Sequence, residues 1–199
     1  PLVWWAARGL RAGGVGAIVV TAPASSIEDF QRALSDICDL TVVAGSDRSR
    51  QESVALGLAA LGCCEADTVV LVHDAARPLT PPQVTGRVID AVAGGAGAVI
   101  PVLPVTDTLK TVDASGVVVG TPRRSDMVAV QTPQGFRWDV LIRAHEAGAS
   151  LGVDEARAAT DDAGLVEAIG GSVQTVAGDE LSLKVTRPLD LALARLLAD

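Results

Sequence analysis

Short, continuously apolar runs rich in Val, Ile and Ala alternate with helical patterns along nearly the whole chain. The runs fall at residues 17–21, 40–44, 68–72, 98–102, 127–131, 173–176 and 183–185. Strands this short and this uniformly apolar are covered on both faces, and a sheet covered by helices on both sides is mostly parallel and twisted. The intervening helices carry boundary signals. Ser25 with Glu28 and Ser49 with Glu52 have the spacing of capping boxes. Thr80 followed by Pro81 reads as a cap with proline in the first helical position, and Gly94 and Gly95 end that helix. Pro188 starts the last helix, on which Leu189, Leu193, Leu196 and Leu197 form a packing stripe. With 199 residues, the chain is expected to form one α/β domain over residues 1–199.

Residues 108–121 break the alternation. Two strand-like arms flank the turn Asp113-Ala-Ser-Gly116, which predicts a β-hairpin projecting from the sheet. The apolar residues Val117, Val118 and Val119 on it call for a partner, so this arm is a candidate dimer contact rather than a surface ornament. Net charge is −8, opposite to what neutralising nucleic-acid phosphates requires. With no Tyr, two Phe and three Trp, surfaces for stacking bases are scarce as well. No stretch has the length of a membrane span and no secretory leader opens the chain. Cys38, Cys63 and Cys64 match neither zinc-ligand nor redox spacing, which suggests reduced, packed thiols and a cytoplasmic location.

In a parallel sheet, ligands sit at the carboxyl ends of the strands. The polar residues there are Gly45, Asp47 and Ser53 after the second run, His73, Asp74 and Arg77 after the third, and Asp107, Thr108 and Lys110 after the fourth. Arg123, Arg124, Thr132, Thr160 and Lys184 complete the set. Basic residues gathered there in an acidic chain point to a phosphorylated ligand. Each also has a plainer reading: Asp74 as a turn cap, Arg77 in an ordinary ion pair, Lys184 on an edge strand. His73, behind an apolar run, reads as a structural histidine, and His145 as a surface residue. No nucleophile elbow or zinc-protease motif supports hydrolase chemistry.

The strings VLVHDAARP at 70–78, TDTLK at 106–110, VQTPQGF at 130–136, TDDA at 160–163 and LKVTRP at 183–188 resemble, in order and spacing, those of the 2-C-methyl-D-erythritol 4-phosphate cytidylyltransferases. The resemblance runs from Pro1 to the end. It implies a Rossmann-like nucleotidyltransferase fold, a homodimer, CTP and methylerythritol phosphate as substrates, and Mg²⁺ as cofactor. It further implies that Arg124 and Lys184 position the sugar phosphate, with Arg124 serving the partner's site. Asp74 would serve the ribose and the metal, with Ala75 and Arg77 beside it. Thr108, Thr132 and Thr160 would line the sugar-phosphate pocket, and Gly45, Asp47 and Ser53 would read cytosine. The family opens with a strand and a Gly-rich loop whose counterpart does not precede Pro1 here; residues 13–16 do not replace it, because they lead into a strand rather than from one into a helix. Without a central strand two sheet edges would stand open, and residues 1–199 alone would fold poorly and not transfer CMP. A related sugar cytidylyltransferase and a non-catalytic homologue that binds a phosphorylated ligand or a partner protein are the alternatives.

Overall fold

The computed structural model describes residues 1–150, 152 and 158–198. Helices α1 (Leu2–Ala12), α2 (Ile27–Ala33), α3 (Arg50–Leu61), α4 (Pro82–Ala93), α5 (Trp138–Gly148), α6 (Asp162–Ala168) and α7 (Pro188–Ala198) alternate with strands. The strands are β1 (Ile18–Ala22), β2 (Leu40–Ala44), β3 (Val69–Val72), β4 (Ala98–Pro104), β5 (Thr111–Val112), β6 (Val118–Gly120), β7 (Val128–Val130), β8 (Gln134–Arg137) and β9 (Val173–Ala177).

β1 and β2 pair in parallel, as do β4 and β9. β8 lies antiparallel between β3 and β4, so those two strands run the same way; β7 is antiparallel to the later part of β4 on the same side as β8, and β9 fills the other side. The codirectional frame is the one expected. The run at 127–131 forms β7 but pairs antiparallel, and β8, which was not expected, is the second antiparallel strand. Among the described residues β1 pairs with β2 alone and β3 with β8 alone. The two strands line one largely apolar cleft of about 730 Å³, with α1 and α3 contributing Ala7, Leu10, Val54 and Leu58 to its walls.

Helices cover the five-stranded sheet on both faces because its strands alternate. On β8, Phe136 is fully buried with Leu58, Leu141, Leu165 and Val166 of α3, α5 and α6. Gly135 points the other way, toward α4, whose Val88 and Val92 pack with Ala96 and Val99. A third cluster joins Ala7, Ile18 and Leu34 beside β1.

Several local expectations are corrected. Ser49 does cap α3, accepting from the Glu52 N–H at 3.0 Å, but Ser25 caps nothing: α2 follows a 3-10 turn (Ala24–Ser26) and has no side-chain cap. Pro81, not Thr80, is the N-cap of α4; the Thr80 hydroxyl donates to the Arg77 carbonyl instead. The 183–185 run is no strand: it follows a 3-10 turn (Glu180–Ser182) and joins no sheet among the described residues. The leucine stripe of α7 packs only in part: Leu189 and Leu196 are 73% and 74% exposed, while Leu193 and Leu197 are about half covered. Cys38 and Cys63 are exposed rather than packed. The arm forms as a β5–β6 hairpin closed by the Asp113 carboxylate, which accepts from the Ser115 and Val117 N–H groups, and its valines are exposed.

The approach of α4 to β8 leaves no room for a side chain at Gly135: a Cβ there would lie 2.3 Å from Val88 Cγ1 and 3.2 Å from both Leu71 Cδ2 and Val92 Cγ2. Gly135→Ala is expected to destabilise the fold by about 1–3 kcal/mol through overpacking. Urea midpoints measure this, and an unchanged midpoint would show that α4 yields freely.

Candidate functional site

Asp74 leaves β3 at its carboxyl end, and the turn behind it is closed by the Arg77 N–H donating to the Asp74 carbonyl at 2.9 Å. A short relay holds this turn in place. The Asp74 N–H donates to Thr132 Oγ1 at 3.0 Å, and that hydroxyl lies 2.9 Å from His73 Nδ1. His73 Nε2 faces the Arg77 carbonyl at 3.3 Å. A carbonyl only accepts, so Nε2 carries the ring proton, Nδ1 accepts from Thr132, and the Thr132 oxygen is left to take the Asp74 N–H. His73 is therefore a neutral template for the Asp74 turn, in keeping with the structural role read from its sequence.

Three cations surround the Asp74 carboxylate. Lys184 Nζ is 3.0 Å from Oδ2, Arg50 Nε 3.4 Å from Oδ1 and Arg77 Nε 3.8 Å from Oδ2. Burial works against the charge of Asp74, but the Lys184 hydrogen bond and the charges of Arg50, Lys184 and Arg77 outweigh it and hold the carboxyl below its ordinary range. Lys184 arrives here from the far end of the chain because the Val185 N–H donates to the Ala76 carbonyl at 2.7 Å. One backbone bond thus supplies what the expected strand was meant to provide. Arg77 is a strut: its terminal nitrogens donate to the Ser182 and Val130 carbonyls at 2.6 and 3.3 Å.

The Gly45–Ser53 loop stands beside this cluster. Gly45 donates its N–H to the Ala22 carbonyl at 2.8 Å, and Ser53 Oγ accepts from the Ser46 N–H at 3.0 Å. Glu52 fastens the outside of the loop through Arg48 and the Ser46 hydroxyl. Asp74, Ala75, Lys184 and Ser53 line the same cleft between β1 and β3, together with Arg50. Thr132 is buried and committed to the relay. Thr108, Thr160, Asp47 and Arg124 lie outside that lining; Arg124 donates to the Thr106 carbonyl at 3.0 Å at the foot of the arm. For a metal, Asp74 is the carboxylate at hand, and the described residues contain no group of three or more His, Cys, Asp or Glu able to enclose an ion.

Arg50, Gln134 and Asp162 stand among the polar residues at the ends of the apolar runs, but the sequence assigned them no role. The fully buried Gln134 donates to Asp161 Oδ2 at 2.8 Å and accepts from the Ala163 N–H at 3.1 Å, which pins the start of α6 to β8. Asp161 itself caps α6 through the Gly164 N–H. His145 is buried and bonded to Asp162, not on the surface as expected. The signal was present in the paired acids after Thr160 and in the Arg at the start of a helix, a position that disfavours a cation unless carboxylates hold it.

His73 gives the site a pH signature. Burial pushes its pKa down to about 4 from 6.5, with Asp74 opposing. The unfolded chain takes up the proton near pH 6.5 and the folded chain only near 4, so stability is intact above 6.5 and is lost as pH falls through that window. The loss is at most on the order of 3 kcal/mol. In denaturant melts between pH 7 and 4, His73→Gln should flatten this slope; an equally steep slope in the variant would assign the acid sensitivity elsewhere.

Among the described residues no helix is long and apolar enough to cross a membrane. The family model for 2-C-methyl-D-erythritol 4-phosphate cytidylyltransferase matches residues 1–198. The chain is 48% identical over 190 residues to the enzyme of that name from Rhodococcus jostii (strain RHA1), covering 96% of this chain and 78% of the relative. It is 48% identical over 200 residues to that from Nocardia farcinica (strain IFM 10152), covering 100% and 82%. The crystal structure of the Thermus thermophilus protein of that name superposes with a TM-score of 0.80 at 34% identity, covering 99% of this chain and 88% of that one. With its ordered motifs, its Asp74 cluster and these matches over nearly its whole length, the chain belongs to the 2-C-methyl-D-erythritol 4-phosphate cytidylyltransferase family.

Proposed function

We propose that the protein transfers CMP from CTP to 2-C-methyl-D-erythritol 4-phosphate, releasing pyrophosphate, as a cytoplasmic homodimer of the non-mevalonate isoprenoid pathway. The observation that carries this is the cluster of Arg50, Arg77 and Lys184 around Asp74 at a strand end, in a chain whose net charge is −8. The attacking group is a phosphate monoester whose second pKa is roughly 6, so it is already ionised and no side-chain base is needed. The work left to the protein is to bring two anions together and to stabilise charge as it develops on the leaving group.

Lys184 suits that work because its ammonium is anchored on Asp74 yet its side chain is 46% exposed. The Gly45–Ser53 loop offers backbone groups beside Asp74 for a nucleobase. Arg124, at the foot of the arm and outside the lining of its own chain's cleft, would serve a neighbouring subunit. The arm offers Val112, Val117, Val118 and Val119, each more than half exposed, as the apolar contact for that subunit. Mg²⁺ held by nucleotide phosphates needs only one or two protein carboxylates, and Asp74 fits that role; when bound it would neutralise phosphate charge. The free thiols of Cys38, Cys63 and Cys64 accord with a reducing compartment.

Calorimetric titration with CTP and Mg²⁺ separates this reading from a homologue that binds other ligands: saturable CTP binding is expected, and its absence would refute the proposal. In the whole gene product, Arg124→Ala and Lys184→Ala should each lower turnover by about two to three decades while leaving CTP affinity nearly unchanged. Near-normal turnover in both would remove them from the mechanism. Equilibrium sedimentation at micromolar concentration should report a dimer, and a monomer would count against both the arm contact and the role of Arg124.

A further inference from the structure

Asp162 opens α6 and is 1% exposed, yet both of its oxygens are engaged. Oδ1 accepts from His145 Nε2 at 2.9 Å, and Oδ2 accepts from Arg50 Nη1 at 2.8 Å. The other side of the same guanidinium presents Nε to Asp74 Oδ1 at 3.4 Å. Arg50 is the first residue of α3, the end of a helix where a positive charge is unfavourable, and these carboxylates offset that cost. We propose that Asp162 is a positioning residue, which holds Arg50 against Asp74 and thereby couples the start of α6 to the nucleotide side of the site.

The geometry favours this over a purely structural ion pair. The planar Arg fork is rigid and can donate to two carboxylates in different directions at fixed separation. The short contact goes to the buried Asp162 and the long one to Asp74, so of these two carboxylates the buried one holds the guanidinium more closely. Asp162 in turn cannot drift. Gln134 pins the first turn of α6 to β8, and His145 of α5 fills the second oxygen. Burial alone would favour a neutral Asp162, but the His145 hydrogen bond and the Arg50 charge keep it ionised. A carboxylate so placed transmits a rigid reference point to Asp74 without touching a substrate. Thr160, the residue of that motif first expected to matter, is outside the cleft lining.

The consequence for nucleotide binding rests on the cytidylyltransferase reading, and the test keeps the two apart. Two readouts are compared in wild-type protein, Asp162→Asn, Arg50→Lys and the double variant. The first is the Arg50 Nε–H signal in ¹⁵N NMR, assigned by its loss in Arg50→Lys. Its exchange with water should quicken about 10-fold or more in Asp162→Asn, and an unchanged signal overturns the clamp whatever the protein binds. The second is the calorimetric Kd for CTP with Mg²⁺. Each single variant should weaken it about 10-fold, the scale of losing a supporting partner behind a binding group, and the double variant should weaken it no further. Penalties that multiply, or an unchanged Kd in Asp162→Asn, overturn the coupling. If wild-type protein does not bind CTP, the cytidylyltransferase reading fails and the NMR result alone decides the clamp. If Asp162→Asn does not fold, Arg50→Lys carries the second arm, and an unchanged Kd in it is equally decisive against the proposal.

Discussion

The Asp74 carboxylate is the fixed point of this cluster, because elements from distant parts of the chain end on it. β3 delivers it, α3 brings Arg50, the turn after it brings Arg77, and residue 184 reaches it by way of one backbone bond from Val185 to Ala76. A partly buried carboxylate without partners would be costly, so each cation both stabilises the charge and is itself located by it. The result is a compact region of positive excess that no total of charges would reveal. An acidic surface and a local cluster of cations are compatible because the screening length at physiological salt, about 8 Å, separates them.

Around that point the protein uses its buried polar side chains to hold backbone. Thr132 and His73 hold the Asp74 turn, Gln134 holds the first turn of α6, and Ser53 holds the loop after β2. None of these needs to meet a ligand to matter to one. Groups that handle transferring phosphate work by being in place before charge develops, and hydrogen-bonded turns with fixed tautomers provide that order. This is also why Thr132 and Arg77, both expected beside a ligand, turn out to serve first as struts.

Much of the architecture was legible along the chain. Apolar runs at 40–44, 98–102 and 173–176 became β2, β4 and β9 because their composition suits a strand covered on both faces. Ser49 with Glu52 capped α3 as its spacing required. β8 was not legible. Gln134-Gly-Phe-Arg137 has a polar end, a glycine and one large apolar residue, and it is a strand because β3 and β4 pair with it and α4 presses on Gly135. The reverse error, a strand at 183–185, followed from reading local apolar content without knowing that no neighbour would pair with it. His145 was misplaced for a similar reason: one histidine on a helix face carries no sign of whether a carboxylate from another helix will meet it.

The sequence by itself determined the alternation of elements, the layered α/β frame and the order of the motifs, since these depend on local periodicity and on residue types at fixed spacings. Tertiary structure alone decided that β8 runs antiparallel between β3 and β4, that Lys184 sits on Asp74, and that Asp162 bridges His145 and Arg50. These contacts join residues far apart in the chain. Their existence depends on burial and pairing that form only when the sheet closes, and no local pattern encodes the distance between two side chains that meet across it.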